Sequence, residues 1–313
     1  MSKNKIKLLF ITGSGRCGST ILHDILGQID GFSAIGELRY VWERGLTNNS
    51  ICGCQIPFRK CEFWQSVMLE AFGGMEDIDI QEISRLNNSM RIYNLPLMVI
   101  PYMRKRIESR LKLFLFTLGK LYRAIHVTSN SKVIIDSSKD PQYGYLLGML
   151  PEIELYILHL IRDSRAVAYS WSRRKLFYPD VTSRDYMDRY NSIRSSFQWN
   201  ARNIIAESCL RRGFVPYMRL RYEDLIEKPQ ESIKCILNML GEKTVDLSFI
   251  KQNSVRINKA SHSVFGNPGR FRIGIVKLKL DNEWKAKMRI LNEISVMAIT
   301  WPLLLKYRYL TLI

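Results

Sequence analysis

The stretch Gly13-Ser14-Gly15-Arg16-Cys17-Gly18-Ser19-Thr20 constrains the fold more than any other part of the chain. It follows the apolar run Lys7–Ile11 and precedes Ile21-Leu22-His23-Asp24-Ile25-Leu26. The run reads as a buried parallel strand and the later segment as the first turns of a helix. A glycine-rich turn between strand and helix points backbone N–H groups and a helix N-terminus at an anion. Gly13 and Gly18 have the spacing of a Walker A loop, and Thr20 closes it. The lysine of such a loop is missing. Ser19 stands in its place, and the positive charge is Arg16 instead.

The pattern beyond the loop alternates strand and helix, which predicts an α/β fold. A short second strand is expected over Gly31–Ile35, before Gly36-Glu37. A third, Lys132–Ile135, runs into Asp136-Ser137-Ser138-Lys139-Asp140, with Pro141 opening a helix to about 150. A fourth, Leu155–Ile161, ends at Arg162-Asp163, where Ser164 is read as the cap of a helix to about Arg174. A long helix is expected over about Arg184–Arg212, stopped by Gly213. A fifth strand, Phe214–Leu220, ends at Tyr222-Glu223-Asp224, and Pro229 opens a helix closed by Gly241. Five polar or charged residues thus fall at strand ends: Arg16, Glu37, Lys139, Arg162 and Tyr222. The carboxyl edge of a parallel sheet is where ligands bind, so five such residues together make a site hypothesis.

The chain has 313 residues and no clear linker, which suits one domain over 1–313. Residues 39–131 form a long helical insertion, expected to cap the site and bind the acceptor. With 47 basic against 29 acidic residues the net charge is +18, which implies an anionic partner. The apolar run near the start is too short for a signal peptide, and no stretch reaches the ~20 residues of a spanning helix. A cytoplasmic location is therefore expected, without a disulfide framework for the six cysteines. Within the insertion, Arg104, Lys105, Arg106, Arg110, Lys112, Lys120 and Arg123 interleave with Leu and Phe. The ordinary reading is a solvated face; peripheral contact with an anionic membrane, or an acidic glycan, is the alternative. No nucleic-acid partner is expected. Cys52, Cys54 and Cys61 invite a zinc reading, but three thiols without an adjacent fourth ligand are a weak signal, and no metal is expected.

Four motifs, two of them strong, resemble those of PAPS-dependent sulfotransferases, in the bacterial and carbohydrate-type branch. Arg16-Cys17-Gly18-Ser19-Thr20 is similar to the loop that holds the 5′-phosphosulfate, with Cys17 where a Ser is usual. Leu160–Ser170 is similar to the 3′-phosphate motif, in which an Arg at a strand end and a Ser eight residues later share one phosphate, as Arg162 and Ser170 would. Arg221-Tyr222-Glu223-Asp224-Leu225 with Pro229 resembles the Tyr-Glu-Asp segment near the adenosine. Gly266-Asn267-Pro268-Gly269-Arg270-Phe271-Arg272 resembles a late basic loop near the 3′-phosphate. The resemblance runs from Leu8 to about Gly274. It implies a P-loop-type three-layer sandwich with a central parallel sheet, and transfer of a sulfuryl group from PAPS to a hydroxyl, on a carbohydrate or glycolipid, without a metal.

The resemblance also implies roles. Ser14, Gly15, Arg16, Cys17, Gly18, Ser19 and Thr20 would hold the phosphosulfate; Arg162, Ser170, Tyr222, Arg270 and Arg272 would hold the rest of the nucleotide. Glu37 would be the base, because the histidine base of the small-phenol branch is not evident; its ordinary reading is an acid in a helix's first turn. Lys139 would steady the leaving group or the acceptor, with Ser138 a weaker neighbour; its ordinary reading is a loop lysine paired with Asp140. His159, inside an apolar strand, reads as a satisfied core histidine, and His23, His126 and His262 are not expected to act as bases. Two other functions compete. Asp136 imitates a Walker B acid, as in an ATP–Mg²⁺ kinase, and a non-catalytic nucleotide- or polyanion-binding protein would keep the loop without needing Glu37.

Overall fold

Five apolar runs line up side by side in a computed structural model that describes residues 5–174, 176, 186–211 and 215–310. They are β1 (Ile6–Gly13), β2 (Phe32–Gly36), β3 (Val133–Lys139), β4 (Ile153–Ile161) and β5 (Tyr217–Arg221). The sheet order is β2-β3-β1-β4-β5, and every pairing is parallel. All five carboxyl ends therefore share one edge. β1, β3 and β4 are buried along nearly their whole length, which is why they read as unbroken apolar runs and not as alternating ones.

Helices cover both faces. On one, Leu9, Ile11, Ile135 and Leu158 of the strands meet Leu22 and Ile25 of α1 (Ser19–Leu26), Leu225 of α9 (Tyr222–Glu227) and Ile233 of α10 (Pro229–Leu240). On the other, Leu8, Phe10, Ile134 and Ile157 meet the insertion and Leu146 of α6 (Pro141–Leu147). The insertion contributes α2 (Glu62–Phe72), α3 (Ile80–Ser89), α4 (Pro101–Arg110) and α5 (Lys112–Ser129). Phe114, Leu118, Leu121, Tyr122 and Ile125 of α5 are buried in that second core. This corrects the reading of 39–131 as a cap. Its long helix is one layer of the sandwich, and among the described residues of this stretch only Tyr40 and Arg44 border the cavity described below. A third, small cluster joins α7 (Ser164–Ser172), α8 (Ser192–Ile205) and α12 (Ile290–Lys306) around Trp199, Val167 and Leu304.

Several boundaries differ from expectation. β3 continues through Asp136 to Lys139, so Lys139 ends a strand instead of following one in a loop. Asp163, not Ser164, caps α7, accepting from Arg165 N, because its carboxylate reaches the free N–H groups that a serine in the first helical position cannot. α8 begins at Ser192, where the Asn191 side chain accepts from Arg194 N; the earlier expected start and the stop at Gly213 lie outside the described residues. β5 starts at Tyr217. The late region also builds a small antiparallel sheet that the sequence does not announce: β6 (Ile250–Lys251), β7 (Ser254–Ile257) and β8 (Gly274–Lys277), followed by α11 (Glu283–Lys287). Among the described residues no helix is long and apolar enough to cross a membrane.

Candidate active site

The carboxyl edge of the sheet opens into a cavity of ≈ 460 Å³. The loop after β1 forms its floor. Gly18 is the N-cap of α1 at φ 96°, and a Cβ built there would lie 2.3 Å from the Tyr222 ring. Only glycine allows both that conformation and that contact. Ser14, Gly15, Arg16, Gly18, Ser19 and Thr20 all line the cavity.

Cys17 does not. Its side chain is fully buried in the core beneath the loop, with Leu22, Ile25 and Leu158, and the Ser19 N–H points at its sulfur. Burial pushes the thiol pKa up. Cys17 is thus a small apolar plug under the turn.

Arg16 itself adopts φ 68°, and its guanidinium stacks 4.5 Å from the Trp171 ring centre. Nη1 points at Met187 Sδ at 3.2 Å, while buried Nε and Nη2 have no hydrogen-bond partner among the described residues. Ser14 Oγ and Arg162 Nε are buried and unpartnered in the same way. Orphaned buried donors are costly, and native structures seldom keep them except where a ligand completes them. Four such atoms on one cavity wall fit an anion.

Arg162, at the end of β4, is 6% exposed and reaches back to the loop, donating from Nη1 to Arg16 O at 3.2 Å. Its guanidinium lies 4.6 Å over the Tyr222 ring. Nη2 donates to Asp281 O at 3.3 Å and lies 3.3 Å from Asp281 Oδ2, which Arg173 also holds at 2.8 Å. Burial opposes the Asp281 charge, but these two arginines outweigh it and keep the carboxyl below its usual range. Ser170, two turns into α7, lines the same wall.

Across the cavity, Glu37 follows β2 and Lys139 ends β3. Their charged ends meet at 2.5 Å. Lys139 also donates to Ser137 O at 3.1 Å. Asp140, its expected partner, is taken by Arg39 and by Arg202, the latter at 2.6 Å. Gly266 closes over the pair: a Cβ there would lie 3.3 Å from Glu37 Oε1. Ser138 borders the cavity, though its hydroxyl accepts from Arg39 N at 3.0 Å.

Arg272 lines the cavity, but Arg270 does not. Its buried guanidinium turns the other way, donating to Gly266 O at 2.6 Å and Ile51 O at 3.2 Å, so it braces the late loop. Asp136, the Walker B mimic, is fully buried and accepts from Tyr122 Oη at 2.5 Å and Ser138 N at 2.7 Å. Burial raises its pKa to about 6. It reaches no ligand position. His159 is held between Tyr217 Oη at 2.6 Å and Asn203 Oδ1 at 2.7 Å, and burial lowers its pKa to about 4. His23 is buried with its pKa lowered to about 3.

Three residues of the site escape sequence reasoning. Trp171 sits one position after Ser170 and stacks on both Arg16 and Tyr190; its aromatic face on a short helix was the available signal. Asp281 and Arg202 come from distant parts of the chain, and nothing in their local sequence marks them. The cysteine cluster lies apart from the cavity, and the structure brings it the fourth neighbour that was missing, His262.

A family model described as "Sulfotransferase family" matches residues 9–246. The fold is similar to that of the sulfotransferase domain from the olefin synthase of Synechococcus PCC 7002, at 16% identity and TM-score 0.57, covering 99% of this chain and 97% of that one. It is also similar to the sulfotransferase domain from the curacin biosynthetic pathway, at 14% identity and TM-score 0.52, covering 96% and 98%. No curated protein matches.

Proposed function

The chain belongs to the sulfotransferase family, and from that premise we propose that it transfers a sulfuryl group from PAPS to a hydroxyl acceptor, on a carbohydrate or glycolipid, with Glu37 as base. The observation that carries this reading is the pair of cationic anchors on one cavity wall, Arg16 and Arg162, each with buried unpartnered N–H groups. They are joined through the Arg162-to-Arg16 hydrogen bond at 3.2 Å. Two anionic groups of one ligand, a 5′-phosphosulfate and a 3′-phosphate, match two linked anchors. The planar forks of arginine suit such groups better than point charges do.

Transfer asks for positioning and charge stabilisation more than covalent help. The acceptor oxygen attacks sulfur, its proton passes to the Glu37 carboxylate, and the bond from sulfur to the 5′-phosphate oxygen breaks. Adenosine 3′,5′-bisphosphate leaves. Lys139 supplies the cation for the leaving oxygen, and Arg16 holds the charge that gathers on the phosphosulfate. The starting Glu37–Lys139 ion pair supports this division of labour: as Lys139 turns to the donor, the carboxylate is released to the acceptor.

A kinase reading loses its support. Ser19 replaces the lysine that would reach the β- and γ-phosphates, and Asp136 is spent on Tyr122 and Ser138. Thermal-shift titration separates the two. Adenosine 3′,5′-bisphosphate at ~100 times its Kd should stabilise the fold by about 2.7 kcal/mol, a rise of several degrees, whereas ATP with Mg²⁺ should do much less. Stabilisation by ATP–Mg²⁺ alone would sink the sulfotransferase reading. Direct detection of sulfated product, with radiolabelled PAPS and a panel of glycans and glycolipids, then identifies the acceptor.

A further inference from the structure

Outside the lining of the cavity, four metal-binding side chains converge. Cys52, Cys54 and Cys61 come from the start of the insertion, and His262 comes from the segment after β7, 201 residues beyond Cys61. All four ligand atoms lie within 4.8 Å of one another. Cys54 Sγ is 3.6 Å from Cys61 Sγ, Cys61 Sγ is 3.4 Å from His262 Nδ1, and Cys52 Sγ is 4.0 Å from the same nitrogen.

These are the edges of a coordination tetrahedron. Zinc–sulfur bonds of ~2.3 Å and zinc–nitrogen bonds of ~2.0 Å give ligand-to-ligand edges of about 3.8 Å for S···S and about 3.5 Å for S···N. The Cys54–Cys61 edge is a little shorter than the S···S value, and the two S···N edges fall on either side of theirs. They are far longer than the ~2.05 Å of a disulfide, and all the cysteines are free.

The surroundings hold the ligands in place. Backbone N–H groups of Cys54, Ile56 and Trp64 are aimed at the sulfurs of Cys52, Cys54 and Cys61 respectively, which fixes where each sulfur sits. The Phe63 ring stacks on the His262 imidazole, with centroids 4.4 Å apart and an interplanar angle of 13°. Trp64 Nε1 donates to His262 O at 3.0 Å. Such outer contacts orient first ligands in metal sites.

We propose that Cys52, Cys54, Cys61 and His262 bind one structural zinc ion. Four protein ligands leave no open position, so the ion is structural and takes no part in catalysis. On binding, the three thiols give their protons to solvent and His262 gives its Nδ1 lone pair, leaving its remaining proton on Nε2.

The ion ties the insertion to the rim of the active cavity. Gly53 N donates to Ser263 O at 2.9 Å beside the cluster, and Val264 N donates to Ile35 O at 3.3 Å on β2. Two residues further on, Gly266 closes over Glu37. The metal thus fixes the strand of chain that packs against Glu37, whatever ligand the cavity takes.

The test reads the full-length chain, purified with reductant and then dialysed against metal-free buffer. Elemental analysis should find about one zinc per chain, and Cys52→Ser and Cys61→Ser should each lower it by about tenfold. Chelated protein refilled with Co²⁺ should show intense visible bands of a tetrahedral site and near-ultraviolet thiolate charge transfer. His262→Ala should shift those bands without abolishing the thiolate transition. Chelation should lower the melting midpoint by several degrees, restored by Zn²⁺. Wild-type protein with less than about a tenth of a zinc per chain and no cobalt bands would overturn the proposal. So would two missing thiols from a Cys54–Cys61 disulfide. Both results come from the wild type, so a variant that fails to fold decides nothing alone.

Discussion

Glu37 and Lys139 begin as an ion pair at 2.5 Å, each little exposed, at the ends of neighbouring strands. A proton acceptor and a cation so close can serve a transfer only if substrate binding parts them. Glu37→Gln keeps the shape and a hydrogen-bond acceptor but cannot take a proton. It should lower kcat by about 10²-fold or more, with the Kd for adenosine 3′,5′-bisphosphate within about twofold. Arg162→Ala should do the reverse, weakening that nucleotide by about tenfold or more. Calorimetric titration beside steady-state kinetics separates the two effects, and normal turnover in Glu37→Gln would remove the base assignment. A second residue, Asp24 on α1, carries a pH signature. Burial pushes its carboxyl up to about 8 from an ordinary 3.8, against the pull of Arg272 and Arg270. The folded state therefore keeps a proton that the unfolded chain releases above about pH 4, so this group's contribution to stability falls as pH rises and levels off above about 8. The melting midpoint of Asp24→Asn, relative to wild type, should climb between about pH 5 and 8. A difference that stays flat or falls across that window would contradict the buried, protonated carboxyl.

The elements show why an anion site sits where it does, and also what guards it. The turn at Gly18 presses α1 against Tyr222, and Tyr222 in turn carries Arg162 at 4.6 Å. The segment between β8 and α11 supplies Asp281, which occupies the face of Arg162 and Arg173 at 3.3 and 2.8 Å. A 3′-phosphate on Arg162, as proposed, would have to displace or share with that carboxylate. Asp281→Asn should tighten adenosine 3′,5′-bisphosphate by about fivefold, from removal of ~1 kcal/mol of competing charge, while lowering the ligand-free melting midpoint because Arg162 loses its counter-charge. Weaker binding in that variant would show that Asp281 positions Arg162 and does not compete. Elements were the most legible level of the sequence. The strand ends at Arg16, Glu37, Lys139, Arg162 and Tyr222 could be read because a parallel sheet buried on both faces leaves long apolar runs that stop abruptly. Asp281, Trp171 and His262 could not. Asp281 and His262 lie in the late antiparallel region, whose β6 and β8 are too short and too irregular to signal themselves, and each acquires its role only on meeting a distant partner. Cys17 and Arg270 show the converse error: both sit inside motifs that point to a ligand, yet the turn directs one side chain into the core and the other to backbone carbonyls of Gly266 and Ile51.

At the scale of the molecule, the charge of +18 is not spread indifferently. Among the described residues six cations border the cavity, Arg16, Arg44, Lys139, Arg162, Arg202 and Arg272, against four carboxyls, Asp24, Glu37, Asp188 and Asp281. One of the four, Asp24, is held largely protonated near neutral pH by its pKa of about 8. The local excess thus points the same way as the global one, and a concave site concentrates that field. Such attraction is screened in proportion to the ligand's own charge. Between ~0.05 and ~0.5 M salt the Debye length shrinks from about 14 to about 4 Å. The Kd for adenosine 3′,5′-bisphosphate should then rise by about tenfold, that for adenosine 5′-monophosphate by less, and that for adenosine hardly at all. Arg162→Ala should flatten the first slope toward the second, because it removes the anchor assigned to the extra phosphate. If all three ligands responded to salt alike, the cavity would be recognising the nucleoside, and its cations would have to be explained by the acceptor instead.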